Sequence, residues 1–336
     1  MKSNEFLNEL KAHLSGIPDD EQNIIIEYFS EIISDKIDDG QNEEQIISAL
    51  GSPESIAKTV VEDYREDKNN VQSEKSNRHF EKIEKEYEPC NINSINVDIT
   101  NSTVVLKQSD NDNIKITYFT NKYCPKKIEN IDGNITLEND IASRKNFMKQ
   151  IVRNIFIWTV HDLKTIIEIP NKCTNLKFNI HTGNAKVFID NITSKSIDIK
   201  TSNGKIDISN VTCNEVLLHT SNGVISADNT DIKDFNAKTS NGKINLTNVK
   251  SQNKLYIKTS NGAINIKNIS SEDISLVTSN GKIDGNIIGD INNYNISSKT
   301  SNGNNSLKLY NNRNQNADKN LLVHTSNGNI AVIFTK

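Results

Sequence analysis

From Thr165 onward, apolar and polar positions alternate in short runs, and the same corner recurs between the runs. The corner is Thr-Ser-Asn-Gly, beginning at Thr201, Thr220, Thr239, Thr259, Thr278, Thr300 and Thr325. Successive gaps are 19, 19, 20, 19, 22 and 25 residues, and a weaker copy, Thr182-Gly183-Asn184-Ala185, precedes the first by 19. One unit reads Ile197, Ile199, the Thr201–Gly204 corner, Ile206, Ile208, Asn210, Val211. Period-two alternation on both sides of a corner predicts two short half-buried strands per unit. A fixed short period predicts a repeat architecture. The corner glycines are expected at φ > 0, which Gly adopts freely and Asn tolerates, so that the chain turns sharply there.

A second turn is expected at a recurrent Asn nine residues past the Thr: Asn191, Asn210, Asn229, Asn248 and Asn268. Identical residues at one phase suit coils stacked in register, where Asn amides hydrogen-bond along a ladder. The third corner residues (Asn203, Asn222, Asn241, Asn261, Asn280, Asn302 and Asn327) form another candidate ladder. The expected fold class is α+β with two bodies: a small all-α module, then an all-β single-chain solenoid with coils of about 19–20 residues. Eight coils would stack over about 40 Å. The repeat pattern leaves the handedness open.

The start of the chain has a different period. Residues 3–64 read as four helices. Ser3 is the expected cap of a first helix with Phe6, Leu7, Leu10 and Leu14, closed by Gly16. A second starts at Pro18, carries Ile24, Ile25, Tyr28, Phe29, Ile32, Ile33 and Ile37, and stops at Gly40. Asn42 opens a third, ended by Gly51, and Ser52-Pro53-Glu54 opens a fourth with Ile56, Ala57, Val60, Val61 and Tyr64. The expected divisions are an acidic four-helix module at 1–66, a polar linker at 67–90, first solenoid strands at 91–164 and regular repeats at 165–336. Residues 81–86 suit either a helical extension or a lead into the first strand. Less regular strands around Val97, Leu106, Ile116 and Leu137 suit first coils or a shield over the solenoid's end. At about 141–160, Lys145, Lys149 and Arg153 recur at helical spacing beside Phe156 and the sole tryptophan, Trp158. This insertion is a candidate membrane or partner contact through Lys149, Arg153, Phe156 and Trp158. The reading preferred over it is a loop or short helix packed on the solenoid's end.

Two resemblances follow from these motifs. Phe6-Leu7-x-x-Leu10, Glu27-Tyr28-Phe29, Gly40-x-x-Glu43-Glu44-x-Ile46-Ile47 and Leu50-Gly51-Ser52-Pro53 make the N-terminal segment resemble the HAAS-type helical signalling domain. Ile95-Asn96-Val97-Asp98-Ile99, Ile167-Glu168-Ile169-Pro170 and the repeated corner make residues 80–336 resemble a bacterial family of β-strand-repeat proteins labelled putative adhesins. That resemblance implies a right-handed β-solenoid without established enzymatic activity.

Charge divides the chain the same way. Residues 1–68 hold 17 acids and 6 bases, a net of −11, and the remainder holds 26 acids and 33 bases, a net of +7. Such a split implies two bodies with different partners, or a contact between them. Cys90, Cys124, Cys173 and Cys213 show no metal spacing and read as free buried thiols. No run approaches a membrane span, and the N-terminus lacks the apolar core of a signal peptide. The expected location is cytoplasmic or peripheral to a membrane rather than extracellular.

Chemistry finds little footing. There is no arginine between Arg153 and Arg313 to steady developing negative charge, and no phosphate loop, nucleophile elbow or His-x-x-x-His. No catalytic residue, metal or cofactor is expected. The residues before each Thr and after each Gly draw two basic columns, with Lys200, Lys205, Lys238, Lys243, Lys258 and Lys282 as a candidate polyanion-binding edge. Their spacing would fall below the Debye length of about 8 Å. An anionic polymer or membrane surface is the expected ligand class. Nucleic acid is disfavoured, because arginine and interleaved aromatics are lacking. The alternative is that Lys simply solvates this face. The expected function is a non-catalytic, adhesin-like binding or scaffold protein. The second reading is a regulatory or envelope-stress signalling protein whose helical module binds a partner protein, and a polysaccharide-active β-helix enzyme is a distant third.

Overall fold

The computed structural model describes residues 1–19, 22–23, 25–26, 29–30, 33, 37, 42–70, 80–100, 102–120, 125–139, 164–311, 314 and 317–336, the side chains at 49 and 63–70 excepted. Two compact units emerge. One holds residues 1–83 with 119–127 and 139–163, and the other holds 84–118, 128–138 and 164–336.

In the first unit three helices have described bounds: Ser3–His13, Glu43–Leu50 and Pro53–Asn70. The expected four-helix count is thus not supported. Described residues from Asp19 to Ile37 are helical, but much of that stretch lies outside the described residues. Ser3 is not a cap. Lys2 holds that position, its backbone N–H donating to Glu5, while the Ser3 N–H and hydroxyl both donate to Glu43 Oε1. Asn42 caps the second helix as expected, accepting from the Glu44 and Gln45 N–H groups at 2.9 and 3.4 Å. The third helix runs on to Asn70, into the start of the stretch read as linker, and a strand occupies Glu81–Tyr87 within that stretch. One cluster fills the helical core, with Phe6, Leu10, Ile25, Phe29, Ile46, Ile56 and Val60 among its buried members.

The second unit is solenoid-like, and its strands stack in parallel. Val187–Thr201, Ile206–Thr220, Ile225–Thr239 and Ile244–Lys258 each run 15 residues. Neighbours pair at a 19-residue offset, so Ile206 meets Val187 and Ile225. One extra residue between Lys250 and Lys254 shifts the offset to 20. Each long strand, and the shorter Ile264–Ile269 after them, bends at its fifth residue, an Asn. Asn191, Asn210, Asn229, Asn248 and Asn268 take φ of 51–56°, at the position expected for the second turn. Asn tolerates this left-handed region better than most residues.

Register carries the alternation inward: Ile199, Leu218, Ala237, Ile257 and Leu276 form one buried column. Stacking order departs from chain order at both ends. Ser94–Ile99 lies between Asn134–Asn139 and Lys177–Thr182, and Val104–Ser109 lies between Thr165–Pro170 and Val187–Thr201. The outer strand Thr165–Pro170 meets Ile114–Thr120 in antiparallel register, which ends the parallel stack. At the other end, Lys319–His324 pairs with Asp273–Val277 on one side and Tyr294–Lys299 on the other. The Thr325 coil therefore precedes the Thr300 coil. On the terminal strand, the Asn311 side chain accepts from the Ser298 N–H and donates to its carbonyl, both at 2.8 Å. The amide stands in for a further strand and blunts that edge.

Candidate binding edge

The corner is built from the Thr upward. Each corner Thr except the half-buried Thr300 is buried, and its hydroxyl bonds to the neighbouring coil. Thr239 Oγ1 accepts the Gly242 N–H at 3.1 Å and shares its proton between the Ser221 and Gly223 carbonyls of the coil beneath, at 3.2 and 3.3 Å. Thr220, Thr259 and Thr278 repeat the pattern. A buried hydroxyl is tolerated here because donor and acceptor are both used.

The glycines serve another purpose than the one expected. None of the corner glycines lies at positive φ. A Cβ on Gly204 would stand 1.9 Å from the Ala185 carbonyl oxygen, and one on Gly242 would stand 1.7 Å from that of Gly223. The coil beneath leaves no room, so Gly is required by close approach rather than by its own torsion angle.

The corner Asn ladder forms, but on the surface. Asn203 donates to Asn184, Asn222 to Asn203, Asn241 to Asn222, Asn261 to Asn241, Asn280 to Asn261, Asn327 to Asn280 and Asn302 to Asn327, all between 2.6 and 2.8 Å. Asn203 and those six after it are exposed, so a buried ladder is not what stabilises the corner. A further rung lies outside the corner, where Asn245 accepts from Asn265 at 2.8 Å.

Beside the ladder runs the first basic column. Register sets the order Asp98, His181, Lys200, His219, Lys238, Lys258, Val277, His324, Lys299. Lys200, Lys238, Lys258 and Lys299 are exposed. His324 comes before Lys299 because the last two coils are exchanged. Lys238 Nζ lies 5.3 Å from the centre of the Tyr256 ring, a contact the sequence did not single out, and Lys254 Nζ lies 5.6 Å from it. On the ladder's other side, backbone bonds stack Lys186, Lys205, Val224, Lys243, Ala263 and Lys282 in turn. This column carries less free charge than expected: Lys205 pairs with Asp207 at 2.5 Å and Lys282 with Asp284 at 3.1 Å. Lys200, Lys238, Lys258 and Lys243 thus share the edge, while Lys205 and Lys282 are partly neutralised. Lys149, Arg153, Phe156 and Trp158 lie outside the described residues.

Of the described cysteines only Cys213 is buried, its thiol pushed up by burial. Cys90 is exposed and Cys173 is intermediate. Among the described residues, no group of three or more His, Cys, Asp or Glu side chains could hold a metal ion, and no helix is long and apolar enough to cross a membrane.

No curated protein matches this chain. Two solved structures align with it: a putative adhesin from Bacteroides fragilis, at 14% identity and TM-score 0.35, and a putative cell adhesion protein from Clostridium sporogenes, at 12% identity and TM-score 0.26. The alignments cover 75% of this chain and 97% of the first protein, and 76% of this chain and all of the second. Residues 5–59 match the HAAS family. Residues 92–333 match the model of Toastrack DUF4097, well over half of the sequence, and the chain belongs to that family.

Proposed function

We propose that this is a non-catalytic interaction protein, adhesin-like in that a repetitive edge of its solenoid binds a long ligand. One observation carries the reading: the in-register column from His181 to Lys299 sets four lysines and three histidines in one line beside the Asn ladder. Strand spacing of about 4.8 Å puts the register neighbours Lys238 and Lys258 well within a Debye length of each other, with Lys200 two strands away, so they act together on one polyanion. Small anions meet only one or two charges and gain little. The test is titration of the whole chain with polyanions of graded length at low and moderate salt. Binding that strengthens with length and falls steeply with salt is expected. No binding to any of them would sink the reading.

A second reading is favoured by the HAAS match and by the acidic balance of residues 1–68. There the helical module docks a basic partner protein and the solenoid serves as scaffold. Retention of one partner by the module and not by the solenoid would support it.

A further inference from the structure

We infer that the corner edge binds an extended acidic polysaccharide lengthwise, one sugar ring to each coil; this rests on the polyanion reading above. A side-chain amide has two N–H donors and an oxygen with two lone pairs. Asn241 spends one donor on Asn222 and one lone pair on Asn261. Asn222, Asn261 and Asn280 do the same with their own neighbours. Each exposed rung therefore keeps one donor and one acceptor for a ligand. Such a strip of paired donors and acceptors has the chemistry of a polyol receptor.

Charge flanks this strip on both sides. Lys238 and Lys258 are register partners on one side, and Lys243 lies on the other. An acidic polysaccharide with one carboxylate per ring offers the matching set: ring hydroxyls for the amides and a carboxylate for the lysines. A 1,4-linked pyranose advances by a length comparable to the strand spacing of about 4.8 Å, so a short run of rings keeps approximate phase with the coils it crosses. A sequence of identical rungs then reads a sequence of identical sugars.

Other polyanions fit less of the edge. Nucleic acid would need aromatic platforms for its bases, and Tyr256 already has Lys238 and Lys254 over its ring. A membrane would need apolar side chains to insert, whereas the outward residues here are chiefly Asn, Ser, Lys and His. Acidic groups near the edge restrict the site to its middle. Asp98 ends the column, Asp198 stands two residues before Lys200, and Asp207 and Asp284 hold Lys205 and Lys282. The strongest stretch of the edge is therefore the run through Lys238, Lys243 and Lys258.

The experiment uses the full chain and polygalacturonate of graded length, with neutral dextran, heparin, polyphosphate, single-stranded DNA and anionic vesicles as comparisons. Polygalacturonate should bind, with affinity rising over the first few rings, until the middle of the edge is spanned, and levelling off beyond, and dextran should not. Lys238→Glu with Lys258→Glu should weaken binding at least about tenfold, because two register neighbours then repel the carboxylates. The paired Lys→Arg variant should keep most of it, and Lys308→Glu should leave it unchanged. Thermal melts of all variants separate lost binding from lost folding. Binding of polyphosphate with neither polygalacturonate nor heparin overturns the sugar assignment and leaves the polyanion reading standing, and binding of heparin without polygalacturonate overturns the match of one carboxylate to each ring. Tighter binding of DNA or vesicles than of polygalacturonate overturns it too, and binding to none of the ligands overturns both.

Discussion

Asn327 donates its side-chain amide to Asn280 at 2.8 Å, across 47 residues of sequence, although Asn302 lies between them in the chain. The bond places the segment 319–335 inside the stack, with the Thr278 coil below it and the Thr300 coil above. Deleting residues 319–336 therefore removes an inner layer rather than an end. Leu321, Val323, Ile330 and Val332 are all buried, and each contributes about 1.5–3 kcal/mol on burial. The truncated chain should melt at least about 10 °C lower. A melt within about 2 °C of the parent would refute the exchanged order.

Most of this unit is legible in the sequence alone. The period of Thr201, Thr220 and Thr239 marks the coils, and the recurrent Asn marks the second turn. Both signals are local and repeat, so each copy reinforces the others. The exchange of the last two coils is not legible, because Thr300 and Thr325 bear the same corner and nothing in a motif says which copy it stacks upon. Nor is the purpose of Gly242, since a torsional need and a steric need select the same residue. At the edge, the columns of Lys238 and Lys258 can be drawn from phase alone. The neutralisation of Lys205 by Asp207 cannot be, because the sequence does not show whether two outward side chains two residues apart actually meet.

The buried hydroxyl column makes a sharp test. Thr239→Val keeps the shape but leaves the Gly242 N–H and the Gly223 carbonyl without their partner. Stranding a buried polar group costs about 1–3 kcal/mol. Thr239→Ser keeps the hydroxyl and should cost less. Chemical denaturation of the two variants should rank Val below Ser, and the reverse ranking would remove the hydroxyl from the account.

Residues 1–70 should fold without the solenoid. Their buried cluster runs from Phe6 to Val60, so every member lies within the segment. Far-ultraviolet circular dichroism of the isolated segment should show helix that melts cooperatively. A spectrum of disordered chain would count against an independent module.

Glu43 offers a pH test in the same module. The Ser3 hydroxyl, and after it the Ser3 N–H, hold its carboxyl below the usual carboxylate range. A carboxyl whose folded pKa is depressed lends stability that is present above its unfolded pKa and fades as pH falls through the folded value. Ser3→Ala removes the stronger donor, so the Glu43 carboxyl should titrate at higher pH in the variant. Carbon-detected NMR titration of the carboxyl would show it, and coincident curves for parent and Ser3→Ala would be the failing outcome.

Two glycines of the solenoid unit separate the two reasons for having glycine at all. A Cβ on Gly242 would lie 1.7 Å from the Gly223 oxygen and 2.6 Å from its carbonyl carbon, both backbone atoms of the coil beneath. Nothing flexible can yield, so Gly242→Ala must push adjacent coils apart and stretch the bonds that Ser240 and Asn241 make to the Ser221 carbonyl. Overpacking costs about 1–3 kcal/mol even where side chains can adjust, and backbone must move here, so the loss should reach the top of that range or exceed it. Gly289 is the contrast: its φ is 138°, and the only atom near an added Cβ is a Tyr294 ring carbon at 3.8 Å. Gly289→Ala therefore meets torsional strain alone, of order 1 kcal/mol. Equilibrium denaturation should put Gly242→Ala well below Gly289→Ala, and a double variant with Ala at both Gly242 and Gly223 should lose more still. Equal midpoints for the two single variants would mean that the coils are not held at the spacing which makes glycine obligatory at the corner.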